Sequence, residues 1–226
     1  MRLFIISACL FFCGAFFVPP AHATNGYDQE YLALIEKALK SDINQVDFLK
    51  LRMLYTETSF FDPYHEPAQL IEIVKKQEKQ KKVAAVTSDD TDEESSLASN
   101  EMKKLLMRHF AHIDTHEFFQ SYFNNEAGQK LKDFHMYVQY MLVKSIIDNG
   151  DGKTPDTAYV VIDPGEEKAI TRAFVGLKIT AQRLERHGNQ TFDVYTLENP
   201  KTGMGEKVYF NNTKYYNVKI HEPQPE

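Results

Sequence analysis

The apolar residues of this chain change their spacing once, near Asp148, and that single change restricts the folds open to it. Before it, apolar side chains recur at intervals of three and four, as on one face of a helix. After it, they alternate with polar ones at intervals of two, as on a half-buried strand. Between the two regimes lies Asp148-Asn149-Gly150-Asp151-Gly152, whose glycines and aspartates mark a turn. The expected class is therefore α+β: an N-terminal antiparallel helical array, then a small, mostly antiparallel sheet with one short helix.

The helical part reads in pieces. Tyr27, Tyr31, Leu34, Ile35 and Ala38 fall on one stripe, with Asp28 early and Lys37 and Lys40 late, the polarity that a helix dipole favours. A second segment, 47–56, carries Leu49, Met53 and Leu54. A third opens at Pro67, carries Leu70, Ile71 and Val74, and runs into a basic stretch at 75–82 with no apolar face. The acidic, Ser/Thr-rich residues 83–98 have nothing to bury and read as a charged linker or loop. Helical spacing resumes with Met102, Leu105, Leu106 and Phe110, passes an aromatic run from Phe118 to Phe123, and ends in a long helix bearing Leu131, Phe134, Val138, Met141 and Leu142. The segments 24–82 and 99–147 are expected to pack together; no 34-residue repeat is visible that would make them a repeat array. In the region 148–220, Tyr159 to Ile162 reads as a strand and Glu166 to Phe174 as a short helix entered from Asp163-Pro164. Strands are expected through Leu177–Gln182, Phe192–Thr196, Val208–Phe210 and Tyr215–Ile220, with a hairpin loop at 199–203 and a disordered tail at 221–226.

Residues 1–23 read as a secretory leader: Arg2, an apolar run from Leu3 to Val18, Pro19-Pro20, then the small-x-small pattern Ala21-His22-Ala23. Cleavage after Ala23 gives a chain starting at Thr24 and released into the periplasm or beyond. Cleavage before Cys9, as in a lipoprotein, leaves too short an apolar region ahead of it and a greasy tail behind. Both cysteines, Cys9 and Cys13, lie in the leader, so the remaining chain has no thiol for a disulfide, a cysteine-bound metal or a nucleophile. The formal charge of −6 becomes −7 once Arg2 is gone, which argues against nucleic acid or an anionic membrane as partner.

Two stretches are distinctive together. One is Asp47 to Tyr55 with its Leu51-Arg52 and Tyr55, followed by Phe61-Asp62-Pro63-Tyr64; the other is Gly150-Asp151-Gly152-Lys153-Thr154-Pro155-Asp156-Thr157-Ala158-Tyr159, followed by Phe192-Asp193-Val194 and Val208-Tyr209-Phe210. In these the chain resembles a bacterial family of unknown function, domain-of-unknown-function family 4919. The resemblance runs from about Tyr27 to Asn211, and the charged insert at 75–98 departs from it. It implies no activity, cofactor or partner.

Three constellations are candidates for chemistry. His109, His112 and His116 have the spacing of one helix face, and His135 can approach from the next helix, so zinc or copper is the alternative to an absence of cofactors. Asp114-Thr115 opposes that set, because it reads as a stop and a new N-cap that swings His116 away. Arg52, Tyr55, Asp62 and Tyr64 either line a groove for a ligand or partner, or serve structure, with Arg52 paired to a carboxylate, both tyrosines half-buried and Asp62-Pro63 capping the next helix. The 148–152 turn fails as an EF-hand: with Gly152 at the invariant glycine, Ile147 and Ala158 take the positions of the first and last acidic ligands. Its glycines instead read as turn positions that permit positive φ, with at least one of Gly150 and Gly152 expected to adopt it. No Gly-x-Ser-x-Gly, Ser-x-x-Lys, His-Glu-x-x-His or phosphate-cradling loop occurs. Two functions stay open: a non-catalytic binding protein for an unknown protein or envelope polymer, without stable membrane insertion, or a metal-dependent or carboxylate-based hydrolase acting on an envelope polymer.

Overall fold

A computed structural model of the chain describes residues 26–64, 72, 75, 76, 100, 102–124 and 128–221. The leader, the linker at 83–98, most of the helix expected from Pro67 and the tail beyond 221 lie outside these residues.

Helix α1 (Gly26–Lys37) buries Tyr31 and Ile35 and runs on through a π-helical turn (Ala38–Asp42) and a 3-10 turn (Ile43–Gln45). Helix α2 (Phe48–Tyr55) starts where the Asp47 side chain accepts the Lys50 amide at 2.9 Å, a side-chain N-cap. Residues 102–108 are helical, and α3 (Ile113–Tyr122) and the long α4 (Gln129–Ile147) follow. The break before α3 falls at 109–112 rather than at Asp114-Thr115, and His112 is the N-cap. Breaking a helix frees backbone groups, and here side chains take them. The Tyr31 hydroxyl accepts the Ala111 amide at 3.1 Å, and the Phe110 carbonyl accepts from His116 Nε2 at 2.8 Å.

The sheet has the order β1-β4-β3-β2, with β1 at Tyr159–Val160, β2 at Lys178–His187, β3 at Gln190–Glu198 and β4 at Gly205–Asn211. β1 runs parallel to β4, and the other two pairings are antiparallel. A tight turn at Gly188 (φ 61°) joins β2 to β3, and the expected loop after Glu198 joins β3 to β4. Helix α5 (Pro164–Arg172) follows β1 as anticipated, capped by Asp163 with Pro164 in its first turn.

Tyr215–Ile220 is not a strand. Thr213–His221 forms a further helix, α6, because the Asn212 carbonyl accepts the amides of Tyr215 and Tyr216 at 3.1 and 2.9 Å and the Asn211 side chain accepts that of Thr213 at 3.2 Å. Tyr215, Tyr216, Val218 and Ile220 fit a two-residue and a three-residue period about equally, so the pattern alone misdirects.

One core joins the helices to the sheet. Tyr31, Ile35, Leu51, Phe110, Phe119, Val138 and Leu142 share it with Val161, Ile162, Ile170, Leu197 and Phe210. Ala158, Phe192 and Val194 make a small second cluster with Tyr209. The turn at 150–152 belongs to this frame. Gly152 has φ 69°, and a Cβ there would stand 2.5 Å from the Tyr159 ring. The Asp151 carboxylate closes the turn itself, accepting from the Lys153 amide at 3.0 Å and the Thr157 hydroxyl at 2.6 Å.

Candidate functional site

Where α2, α4 and α5 meet the sheet, ionisable side chains gather in an interior that is otherwise apolar. Its hub is Arg52 of α2, whose side chain is fully buried, as is that of Glu166 in the first turn of α5. The guanidinium grips the carboxylate with two bonds, Nε to Oε1 and Nη2 to Oε2, both 2.6 Å. Nη2 also donates to the Val160 carbonyl at 2.8 Å and Nη1 to the Ser145 hydroxyl at 3.3 Å, while Glu166 accepts the Ile162 amide at 2.9 Å. Burial drives the Glu166 carboxyl above its usual range, and Arg52 pulls it back. A buried ion pair persists only when its remaining donors and acceptors are met. Here they are, from β1, α4 and the turn into α5.

Beside the hub, Tyr55 bridges two histidines: its hydroxyl lies 2.9 Å from His112 Nε2 and 3.3 Å from His109 Nδ1, and it accepts the Asp62 amide at 3.1 Å. On its other side His112 Nδ1 stands 3.0 Å from Asp163 Oδ2, a contact of charge rather than an aligned hydrogen bond. Burial opposes a charge on His112, yet Asp163, with Glu166 and Asp62 beyond it, outweighs burial and raises the imidazole above its ordinary value. Burial also pushes the Tyr55 phenol upward, so it stays protonated.

His116 parts from the other two. Its Nε2 donates to the Phe110 carbonyl, which leaves Nδ1 of the neutral ring an acceptor, so the 2.9 Å contact with His135 Nδ1 has His135 as donor. His135 is stacked on Phe119. Burial lowers His116 to about 4, against the pull of the Phe110 carbonyl and with repulsion from His112 adding to it, and lowers His135 to about 2, with repulsion from His116 adding to it. Folded-state values below the unfolded one mean stability that is full above about 6.5 and declines as pH falls. His135→Phe is therefore expected to flatten the loss of melting temperature between pH 6.5 and 4 relative to the parent protein. An unchanged slope would show that these rings do not titrate on unfolding.

A second cluster lies on the other side of α5. Glu167 accepts the Tyr195 hydroxyl at 2.9 Å, and its Oε1 is hydrogen-bonded to the Tyr215 hydroxyl; Tyr215 also lies 3.3 Å from Asp193 Oδ2, which accepts from the Asn212 side-chain Nδ2 at 2.7 Å. Burial first, and Asp193 beside it, push the Glu167 carboxyl up to about 8 against the pull of the two phenols.

The residues singled out from sequence are thus placed as follows. Arg52, Tyr55, His109 and His112 come together, buried. Asp62 lies at the margin with its carboxylate on the Tyr64 amide at 3.1 Å, and Tyr64 is exposed, its hydroxyl 3.5 Å from the Tyr215 carbonyl. The three histidines do not share one helix face, because the break at 109–112 sends His116 toward α4. No group of three or more His, Cys, Asp or Glu among the described residues is arranged to hold a metal ion. Sequence reasoning missed Glu166, Glu167, Asp193, Tyr195 and Tyr215. Two glutamates after an Asp-Pro cap look like surface carboxylates favoured by the helix dipole, and no local pattern marks them as buried.

A family model described as "Domain of unknown function (DUF4919)" matches residues 22–221. The chain belongs to this family. No curated protein and no solved structure matches it. The DUF4919 match takes in every described element from α1 to α6, and with them both polar clusters.

Proposed function

We propose that this DUF4919 protein is an exported, non-catalytic binding module for a protein or envelope polymer. Its leader is removed after Ala23, and the released chain works in the periplasm or outside the cell. The observation that carries the reading is a stripe on the outer face of α4, where Met136, Tyr140 and Ile147 are 48%, 60% and 45% exposed. Positions separated by four and eleven residues share one helix face, and large apolar groups aligned there suit a partner surface. The polar residues of the interior support the same reading, since buried Arg52 is bonded to Glu166 and buried Tyr55 to His112, and a ligand at the surface does not meet them. The negative formal charge favours partners other than nucleic acid. No described helix is long and apolar enough to cross a membrane.

The reading is tested by co-sedimentation with isolated envelope fragments. Met136→Lys with Tyr140→Lys is expected to weaken binding about tenfold or more while leaving the melting temperature within a few degrees, as exposed positions allow. Equal binding by the variant would remove α4 as the contact surface.

The neutral Glu167 carboxyl beside Asp193 favours a second reading, a carboxylate-based hydrolase of an envelope polymer, since an acid held protonated near neutral pH is what bond protonation needs. Both residues of that pair lie in a cluster closed by Tyr195 and Tyr215, so we place it second. Release of soluble fragments by the parent protein, lost in Glu167→Gln, would reverse the order.

A further inference from the structure

Strand β2 lies at one edge of the sheet and is the longest of the four, with ten residues, yet every one of them is exposed except the half-buried Glu185. One of its edges pairs with β3. Among the described residues no strand pairs with the other. A long free edge invites another strand unless a proline, a bulge or a charge facing inward blunts it. β2 has no proline, and its single register shift lies near its start, between Ile179 and Ala181, so the stretch from Ala181 to His187 is regular.

The chemistry of that stretch selects its own partner. Leu184, 45% exposed, is flanked by Arg183 and Glu185, which share the opposite face of the strand and touch there at 2.5 Å. We propose that β2 pairs antiparallel with β2 of a second copy of this chain, Leu184 opposite Leu184, joining two four-stranded sheets into one of eight. In this register Arg183 of each copy lies opposite Glu185 of the other, so the attraction occurs twice about the two-fold axis. Gln182 meets Arg186 and Ala181 meets His187, and no like charges are opposed. A shift of the axis by one residue either way sets Arg183 against Arg183 or Glu185 against Glu185. The charge pattern thus discriminates among registers that keep both helical layers on one side of the sheet. The two leucines, exposed in the single chain, cover each other.

This surface is distinct from the α4 stripe, so the proposal stands or falls separately from the binding reading. The test uses the full chain with Cys9 and Cys13 changed to serine, studied by sedimentation velocity over a range of concentrations. A dimer is expected. Arg183→Glu and Glu185→Arg should each raise its dissociation constant about tenfold or more, because each substitution acts at two symmetric contacts. The combined exchange of both residues should restore it. In the same background Leu184→Cys should form a disulfide-linked dimer on mild oxidation. Gln182→Cys should not, since its copy would lie four residues along the strand, about 13 Å away. A chain that stays monomeric, a dimer indifferent to both charge reversals, or a cross-link at 182 in place of 184 would overturn the proposal. So would protection of the β2 amides from exchange that requires a different protein.

Discussion

Arg52→Met is expected to lower the free energy of unfolding by about 3–5 kcal/mol, the range for removing one partner of a buried ion pair. Against a typical domain stability of about 5–15 kcal/mol, that is a large share. The cost arises mainly from what is left behind. Without the guanidinium, the Glu166 carboxylate keeps only the Ile162 amide as a donor among the described residues, and the Val160 carbonyl loses the Arg52 Nη2 bond at 2.8 Å. Glu166 then takes a proton more readily, so the penalty grows as pH rises, the direction in which a carboxyl with a raised folded-state value loses stability. Arg52→Met combined with Glu166→Leu should recover much of the loss, because two apolar side chains of similar volume need no pairing. Denaturant unfolding of the parent, both single variants and the double variant gives the coupling directly. Additive losses would mean that the pair does not act as a unit.

What made this hub hard to read from sequence is distance along the chain. Arg52 and Glu166 are 114 residues apart, and Tyr31 meets the Ala111 amide across 80. Local signals worked where the cause was local: the Asp163-Pro164 start of α5, the turn at 148–152 and the loop after Glu198 each depend on neighbours a few residues away. They failed where a remote side chain decides. The helix break moved to 109–112 because Tyr31 and His116 satisfy the backbone groups it frees. The segment at 213–221 became helical where local periodicity was ambiguous and Asn212 could start a helix. Arg52 and Tyr55 could be named as polar groups in an unusual segment, but only the fold tells whether they face a groove or one another. Glu167 gave no signal at all, since its partners Tyr195 and Tyr215 lie 28 and 48 residues away on the sheet and the last helix.

That cluster carries the second large effect: Glu167→Gln is expected to stabilise the protein at pH 8 and to change it little near pH 4.5. Proton counting supports one neutral carboxyl in the pair of Glu167 and Asp193. The Tyr195 hydroxyl uses its one proton on Glu167 Oε2. Tyr215 has one proton as well, yet its oxygen contacts both Glu167 Oε1 and Asp193 Oδ2. Both contacts are favourable when one of the two carboxyls is protonated, and with burial raising Glu167 the proton sits there, so Glu167 donates to Tyr215 and Tyr215 donates to Asp193. Burial drives the Glu167 value from the ordinary 4.5 to about 8, with Asp193 adding to it. Between those values the folded chain holds a proton that the unfolded chain has lost, so stability falls as pH rises through the window and levels off above it. One bound proton is worth about 1.4 kcal/mol per pH unit, so the cumulative loss is on the order of a few kcal/mol. Glutamine keeps the shape, donates to Tyr215, accepts from Tyr195 and never ionises, so the variant should lack this slope. Melting curves from pH 4.5 to 9 should therefore start together and separate, the variant above the parent, with the gap constant beyond about pH 8. Asp193→Asn should end the decline at a lower pH, and so shrink it, by removing the nearby negative charge that raises Glu167. Parallel curves for parent and Glu167→Gln would mean that Glu167 is ionised in the folded protein and that Tyr215 bridges two carboxylates at a cost the fold meets elsewhere.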